Sequence, residues 1–343
     1  MSPESILSYP FPVLPLAGRA LAVAPGVHWL RMPLPFALNH INLWLLEDEG
    51  GWTIVDSGLG DAPTRALWGE FFATAAGEPP VRRVIVTHHH PDHAGNAGWL
   101  TQRFGVQLWI SYSEFVSALA YREAVDGFSL AHRLVMFRRN GLPIEHIHKL
   151  KDRGNGYRSA VPEFPSAYRR LTDGLVIRIG ARDWRVIMGY GHAPEHAALY
   201  CDELKVLIAG DMVLPKITTN VSVMSFEPEG NPLKQFLESL GRYGTLPADT
   251  LVLPSHGLPF AGLRERIAQL QEHHRLRLGE LLEACEAPQS AADVIPTLFR
   301  RELDTQQLYF AMGEAMAHLH FLFEERRVSR TEDGDGVLRF VRA

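Results

Sequence analysis

Thr87-His88-His89-His90-Pro91-Asp92-His93-Ala94-Gly95 follows directly on the apolar run Val84-Ile85-Val86. The run reads as a buried strand, and a chain leaving such a strand presents its next side chains at the sheet edge. Several imidazoles can converge there without crossing a packed core. The pattern His88-x-His90-x-Asp92-His93 holds more ligand-type residues than one ion usually takes from a single segment, so its spacing suggests two metals side by side. The plainer reading is a His-rich surface loop. Other segments argue against it. Downstream lie Gly191-His192-Ala193-Pro194-Glu195-His196, then Asp211 after Val206-Leu207-Ile208, and His256 after Leu251-Val252-Leu253. Upstream, Ile54-Val55 leads into Asp56-Ser57-Gly58. A lone His or Asp at a strand end is ordinarily a cap or turn residue, but so many in one chain form a constellation.

These motifs, in this order and spanning about residues 27 to 260, resemble those of the metallo-β-lactamase superfamily. The resemblance implies an α/β protein, an αβ/βα sandwich with the metals at one edge. It implies that His88, His90 and His192 hold a first metal, that Asp92, His93 and His256 hold a second, and that Asp211 bridges the two. Asp56 matches the acid of the first motif, which orients the site from behind. His196 falls on the second His of the family's Gly-His-x-Pro-Gly-His segment, and Glu195 stands where that segment commonly has glycine. The implied cofactor is two Zn2+ per chain, although imidazole and carboxylate ligands also accept iron or manganese. The implied chemistry is attack by a metal-bound hydroxide, with Asp92 and Asp211 as the catalytic carboxylates and no Ser or Cys nucleophile.

A chain of 343 residues, 46% hydrophobic, can bury a large core and should form one large domain and a smaller one. The net charge of −5 gives no general footprint for nucleic acid or an anionic membrane. Two distant cysteines, Cys201 and Cys285, speak against a disulfide framework and for a reducing compartment. The N-terminus lacks the order of a signal peptide, and no apolar run reaches the roughly 18 residues a membrane span needs. A soluble, cytoplasmic protein is expected.

Along the chain, residues 1–26 should wrap the surface, and residues 1–262 should form the catalytic domain. Strands are expected at 27–31, 42–46, 53–55, 82–87 and 106–110, with a helix over 62–74. A strand-rich stretch over 175–211, a helix over 232–243 and a strand over 250–253 form the second half. Residues 112–174 are an insertion whose first part, 113–140, reads as helix, and it is expected to cap the pocket. From His132 to Arg170 there are nine Lys and Arg against three Asp and Glu. Such a run is usually a solvated face, but facing the pocket it would favour an anionic substrate. Residues 263–343 read as three helices and a hairpin, a small winged-helix-like C-terminal domain. It carries 11 Arg and no Lys against 14 Asp and Glu, which argues against a nucleic-acid grip. Packing onto the catalytic domain, or a homodimer contact, is its expected role.

The leading functional reading is a dinuclear metal hydrolase that cleaves a carboxylic ester, thioester or lactone of a small-molecule substrate. The alternative is a phosphodiesterase or endoribonuclease, motivated by the winged-helix resemblance and opposed by the charge. A persulfide-dioxygenase-type iron enzyme and a non-catalytic binder stand behind these. Lys216, Thr218, Thr219 and Asn220 follow Asp211 closely and read equally as pocket lining or ordinary loop.

Overall fold

Each apolar run ahead of a ligand segment is a strand. The computed structural model describes residues 7–36, 38–74, 80–151 and 155–343. In chain order the strands are β1 (Leu21–Ala24), β2 (Val27–Pro33), β3 (His40–Asp48), β4 (Gly51–Val55), β5 (Val81–Ile85), β6 (Leu108–Ser111), β7 (Tyr168–Leu171), β8 (Val176–Ile179), β9 (Arg182–Gly189), β10 (His196–Cys201), β11 (Val206–Gly210), β12 (Leu251–Pro254), β13 (Phe260–Ala261), β14 (Val328–Glu332) and β15 (Leu338–Arg342). The helices are α1 (Ala62–Thr74), α2 (Pro91–Ala94), α3 (Ala97–Phe104), α4 (Tyr112–Arg122), α5 (Leu130–Arg139), α6 (Ile144–Lys151), α7 (Gly156–Ala160), α8 (Pro232–Tyr243), α9 (Leu263–Ala284), α10 (Ile295–Leu298) and α11 (Thr305–Glu324). Among the described residues, no helix is long and apolar enough to cross a membrane.

The chain divides into two compact units, the first made of residues 1–122, 157–219 and 239–267 and the second of the rest. The first unit holds two sheets, in the orders β1-β2-β3-β4-β5-β6-β7 and β13-β12-β11-β10-β9-β8. Because side chains alternate across a strand, β3 sends Trp44 and Leu46 into the layer between the sheets. There they meet Val55, Ile85, Trp184, Val186, Leu199, Ile208 and Leu253. The opposite face of β3, with Ile41, Leu43 and Leu45, packs under Trp68 and Phe72 of α1, Leu100 of α3 and Phe115 of α4. On the far side, the end of α8 lies over β9, where the Arg242 guanidinium donates to the Met188 carbonyl at 2.8 Å. This is the αβ/βα sandwich that the motifs imply. The N-terminal stretch does more than wrap the surface. β1 extends the first sheet by pairing antiparallel with β2, and Ser8 bridges Ala261.

The helix expected over 113–140 is two helices, α4 and α5, because Ala124 (φ 50°) and Gly127 (φ 90°) turn the backbone out of the helical region between them. Within the second unit α5 packs against α6 and α6 against α11. The rings of Phe137 and Tyr309 lie 5.6 Å apart, and Ala292 N–H donates to the Asn140 carbonyl at 3.1 Å. Helices α5 and α6 of the insertion and the C-terminal segment from residue 268 thus belong to one unit. That segment contains α9, α10, α11 and the antiparallel hairpin β14-β15, and α11 starts at a capping box between Asp304 and Gln307.

Candidate metal centre

β4, β5, β11 and β12 all end at the same edge of the sandwich, since β4 runs parallel to β5 and β11 parallel to β12. The loops leaving β5, β11 and β12, with the loop between β9 and β10 that carries His192, gather the seven residues expected as ligands into two sets: His88, His90, His192 and Asp211, and Asp92, His93 and His256. In the first set, His88 Nε2 lies 2.9 Å from His90 Nδ1 and 3.1 Å from His192 Nε2. In the second, His256 Nε2 lies 3.4 Å from Asp92 Oδ2, and His93 Nε2 lies 3.7 Å from it. Asp211 faces both. Its Oδ2 is 3.4 Å from His192 Nε2, and its Oδ1 is 3.4 Å from His256 Nε2 and 3.5 Å from His93 Nε2.

Several of these separations are long for hydrogen bonds. Ligands about 2.0–2.1 Å from a tetrahedral ion stand roughly 3.3 Å apart, which is near what is seen. His93 Nε2 and Asp211 Oδ1 are also buried without a hydrogen-bond partner. Orphaned polar atoms of this kind are rare in a settled core. Converging imidazole nitrogens, a carboxylate with one oxygen toward each set, and no thiolate among the donors fit two divalent cations.

The residues behind the ligands decide which nitrogen points inward. Asp56 accepts from His93 Nδ1 at 2.8 Å and from Thr87 N–H at 2.8 Å, and His256 Nδ1 donates to the His40 carbonyl at 2.8 Å. Each ring therefore turns its Nε2 to the site. Asp56 is fully buried at φ 64°, a left-handed conformation that costs a non-glycine residue about 1–3 kcal/mol. The bonds to Thr87 and His93 hold it there. Burial opposes charge on His93, but Asp56, Asp92 and Asp211 outweigh it and raise the ring well above its ordinary pKa. His256 behaves alike: burial is overcome by Asp211 and Asp92, and its pKa rises to about 10. His88 goes the other way, pushed well below the ordinary value by burial and by His93, His90 and His192.

His196 is not within either set. Its Nε2 accepts from Asp211 N–H at 3.2 Å, so it supports the bridging residue. Gly210 makes room for it, for a Cβ there would stand 2.2 Å from that Nε2. Thr219, read as either lining or loop, donates its hydroxyl to the Asp211 carbonyl. Three supporting residues carry no motif and were not anticipated. Asn42 donates to the carbonyls of Pro254 and Gly257 at 2.8 and 2.9 Å, and His40 Nε2 accepts from Gly257 N–H at 2.8 Å. Glu114, fully buried, accepts from His89 N–H at 2.8 Å and from Glu195 N–H at 2.7 Å. A carboxylate at an inward position of a helix is the only signal that could have marked Glu114. Among the described residues of the basic stretch, several arginines have near partners. Arg169 and Arg170 lie over the rings of Trp109 and Tyr112, and Arg139 pairs with Glu332 at 2.9 Å.

Known proteins resemble this chain along most of its length. A solved β-lactamase domain protein from Burkholderia ambifaria is 50% identical, covers all of both chains and superposes with a TM-score of 0.93. The probable metallo-hydrolase YqjP of Bacillus subtilis is 24% identical over 313 residues, 90% of this chain and 95% of its own. An atrochrysone carboxyl ACP thioesterase of Aspergillus fumigatus is 21% identical over 74% of this chain and 62% of its own. The C-terminal segment, residues 278–343, matches the model of a metallo-beta-lactamase-like C-terminal domain. Residues 38–256, which contain all seven clustered side chains, match the metallo-beta-lactamase superfamily model, and the chain belongs to that superfamily.

Proposed function

We propose that this protein is a dinuclear metal-dependent hydrolase cleaving a carboxylic ester, thioester or lactone. The observation that carries the reading is Asp211, whose two carboxylate oxygens face two different ligand sets. His88, His90 and His192 would hold one cation, Asp92, His93 and His256 the other, and Asp211 both. Bound there, the cations would supply a water acidified into the neutral range and a Lewis acid for the substrate carbonyl.

The chain's own groups set the geometry for that chemistry. Asp56 and the His40 carbonyl lock the tautomers of His93 and His256, so their inner nitrogens are free to accept a cation. Asp92 is the more exposed carboxylate of the site, its side chain 19% accessible against 11% for Asp211. Acyl rather than phosphoryl chemistry is supported by the thioesterase named among the relatives and by the acidic C-terminal segment. Zinc is the metal we favour. We read the three helices and hairpin of the C-terminal segment as a winged-helix-like module with a packing or dimer role.

The test is to load the protein with zinc and compare initial rates on acyl-thioester and lactone substrates with those on a phosphodiester and short RNA. Carbonyl-centred cleavage that a chelator abolishes is expected. Selective phosphodiester cleavage would refute the acyl reading, and bound iron with oxygen uptake would refute hydrolysis itself.

A further inference from the structure

We propose that Glu114 and Glu195 form a reciprocal clamp that positions the His88, His90 and His192 ligand set. The inference rests on the metal reading above but not on any substrate. Glu114 lies in the first turn of α4 and is fully buried. Its Oε1 accepts from Glu195 N–H at 2.7 Å, and its Oε2 accepts from His89 N–H at 2.8 Å and from His89 Nδ1. One carboxylate thus ties together the two loops that supply the three histidines.

The other half of the clamp runs back. Glu195 Oε2 accepts from Ser113 N–H at 3.1 Å, at the start of α4, and the Ser111 hydroxyl donates to the Glu195 carbonyl at 2.8 Å. Each glutamate receives an N–H from the other's segment, as the two ends of a capping box do. His89 stands between ligands His88 and His90 and is pinned on every side. The Tyr157 hydroxyl donates to its carbonyl, and the Tyr121 ring stacks on its imidazole at 5.2 Å and 7°. These contacts restrain the peptides that aim His88 and His90. Neither glutamate contacts an inward-facing ligand nitrogen, so both are positioning residues. A glycine at 195 would keep the backbone N–H but lose the bond to α4.

Groups that hold metal ligands in place change affinity by about 10–100-fold when removed. Purified Glu114→Gln, Glu195→Gly and wild-type protein should be titrated with zinc against a competing chelator, and with cobalt(II) followed by its visible spectrum. Asp48→Asn serves as a control. Asp48 is a buried carboxylate paired with Arg83 at 2.9 Å and bonded to Gly180 N–H at 3.0 Å, far in sequence from either ligand loop. E114Q should bind one of the two zinc equivalents tenfold or more weakly, with loss of the cobalt bands of the three-histidine set, and E195G severalfold more weakly. D48N should lose stability while keeping both equivalents. Wild-type affinities and spectra in E114Q would overturn the clamp, as would parallel loss of metal in E114Q and D48N. Should E114Q not fold, unchanged binding in E195G would overturn it alone. A wild type that takes up one equivalent would refute the paired-metal reading, while the effect of E114Q on that equivalent would still decide the clamp.

Discussion

Replacing Asp56 by Asn tests whether the site depends on a group that touches no metal. Asn tolerates a left-handed backbone, so the φ of 64° survives the change. The hydrogen bonding does not. The carboxylate accepts from His93 Nδ1, from Thr87 N–H and from the Thr87 hydroxyl, the last at 2.9–3.0 Å. A carboxamide has one accepting oxygen, and its NH2 must then face a donor. Losing a charge-assisted bond to a buried ring amounts to about 1.5–3 kcal/mol. Releasing the His93 tautomer should weaken the second cation about 10–100-fold, which is roughly 1.4–2.7 kcal/mol. The assay is metal content by mass spectrometry after dialysis at a buffered free-zinc level that just saturates wild type. We expect about one equivalent lost from D56N, with the three-histidine set still filled. D56A should be worse, because Ala also strains at that φ by about 1–2 kcal/mol. Two tightly held equivalents in D56N would refute the reasoning, since His93 would then be oriented without Asp56.

Other consequences can be measured directly. Asp211→Ala and His90→Ala should each abolish hydrolysis and lower the metal content, and full activity in metal-free wild type would contradict this. Gly210→Ala should place a methyl against the buried His196 at φ 54°, so metal content and thermal midpoint should both fall; wild-type values would show that His196 is free to move. In the second unit, burial and mutual repulsion push His274 down to about 2, and burial pushes His318 down to about 4. Both rings are neutral in the fold but take up protons near pH 6.5 when unfolded, so their contribution is lost as pH falls below that value. Between pH 6.5 and 5 each should remove about 2 kcal/mol. Urea unfolding of His274→Phe should show a shallower acid loss than wild type, and an equal slope would refute the assignment.

The candidate metal centre was legible because its donor residues are written locally. Strand β5 delivers four donors within six residues, β9, β11 and β12 each deliver one, and β4 delivers the supporting Asp56, so strand, loop and ligand type could be read together. The exact match of α1 and α8 to the expected 62–74 and 232–243 has the same cause, a helical period bounded by local breakers. The break between α4 and α5 was missed because a single glycine inside a helical pattern is usually tolerated.

What the tertiary structure alone decided are the contacts between segments that share no pattern. His40 and Gly257 meet across 217 positions, Asn42 and Pro254 across 212, and Glu114 and Glu195 across 81. Only its inward place on the helical period sets Glu114 apart from a solvated helix carboxylate, and its burial became sensible only once two N–H groups of distant loops were brought to it. The same holds for the association of α5 and α6 with the C-terminal segment, where apolar faces far apart in sequence found each other. The sequence by itself determined which atoms can bind metal, since that is a property of side-chain chemistry at a strand's end. Which groups hold those atoms still was settled by folding, because a buried hydrogen bond depends on where two distant backbones come to rest.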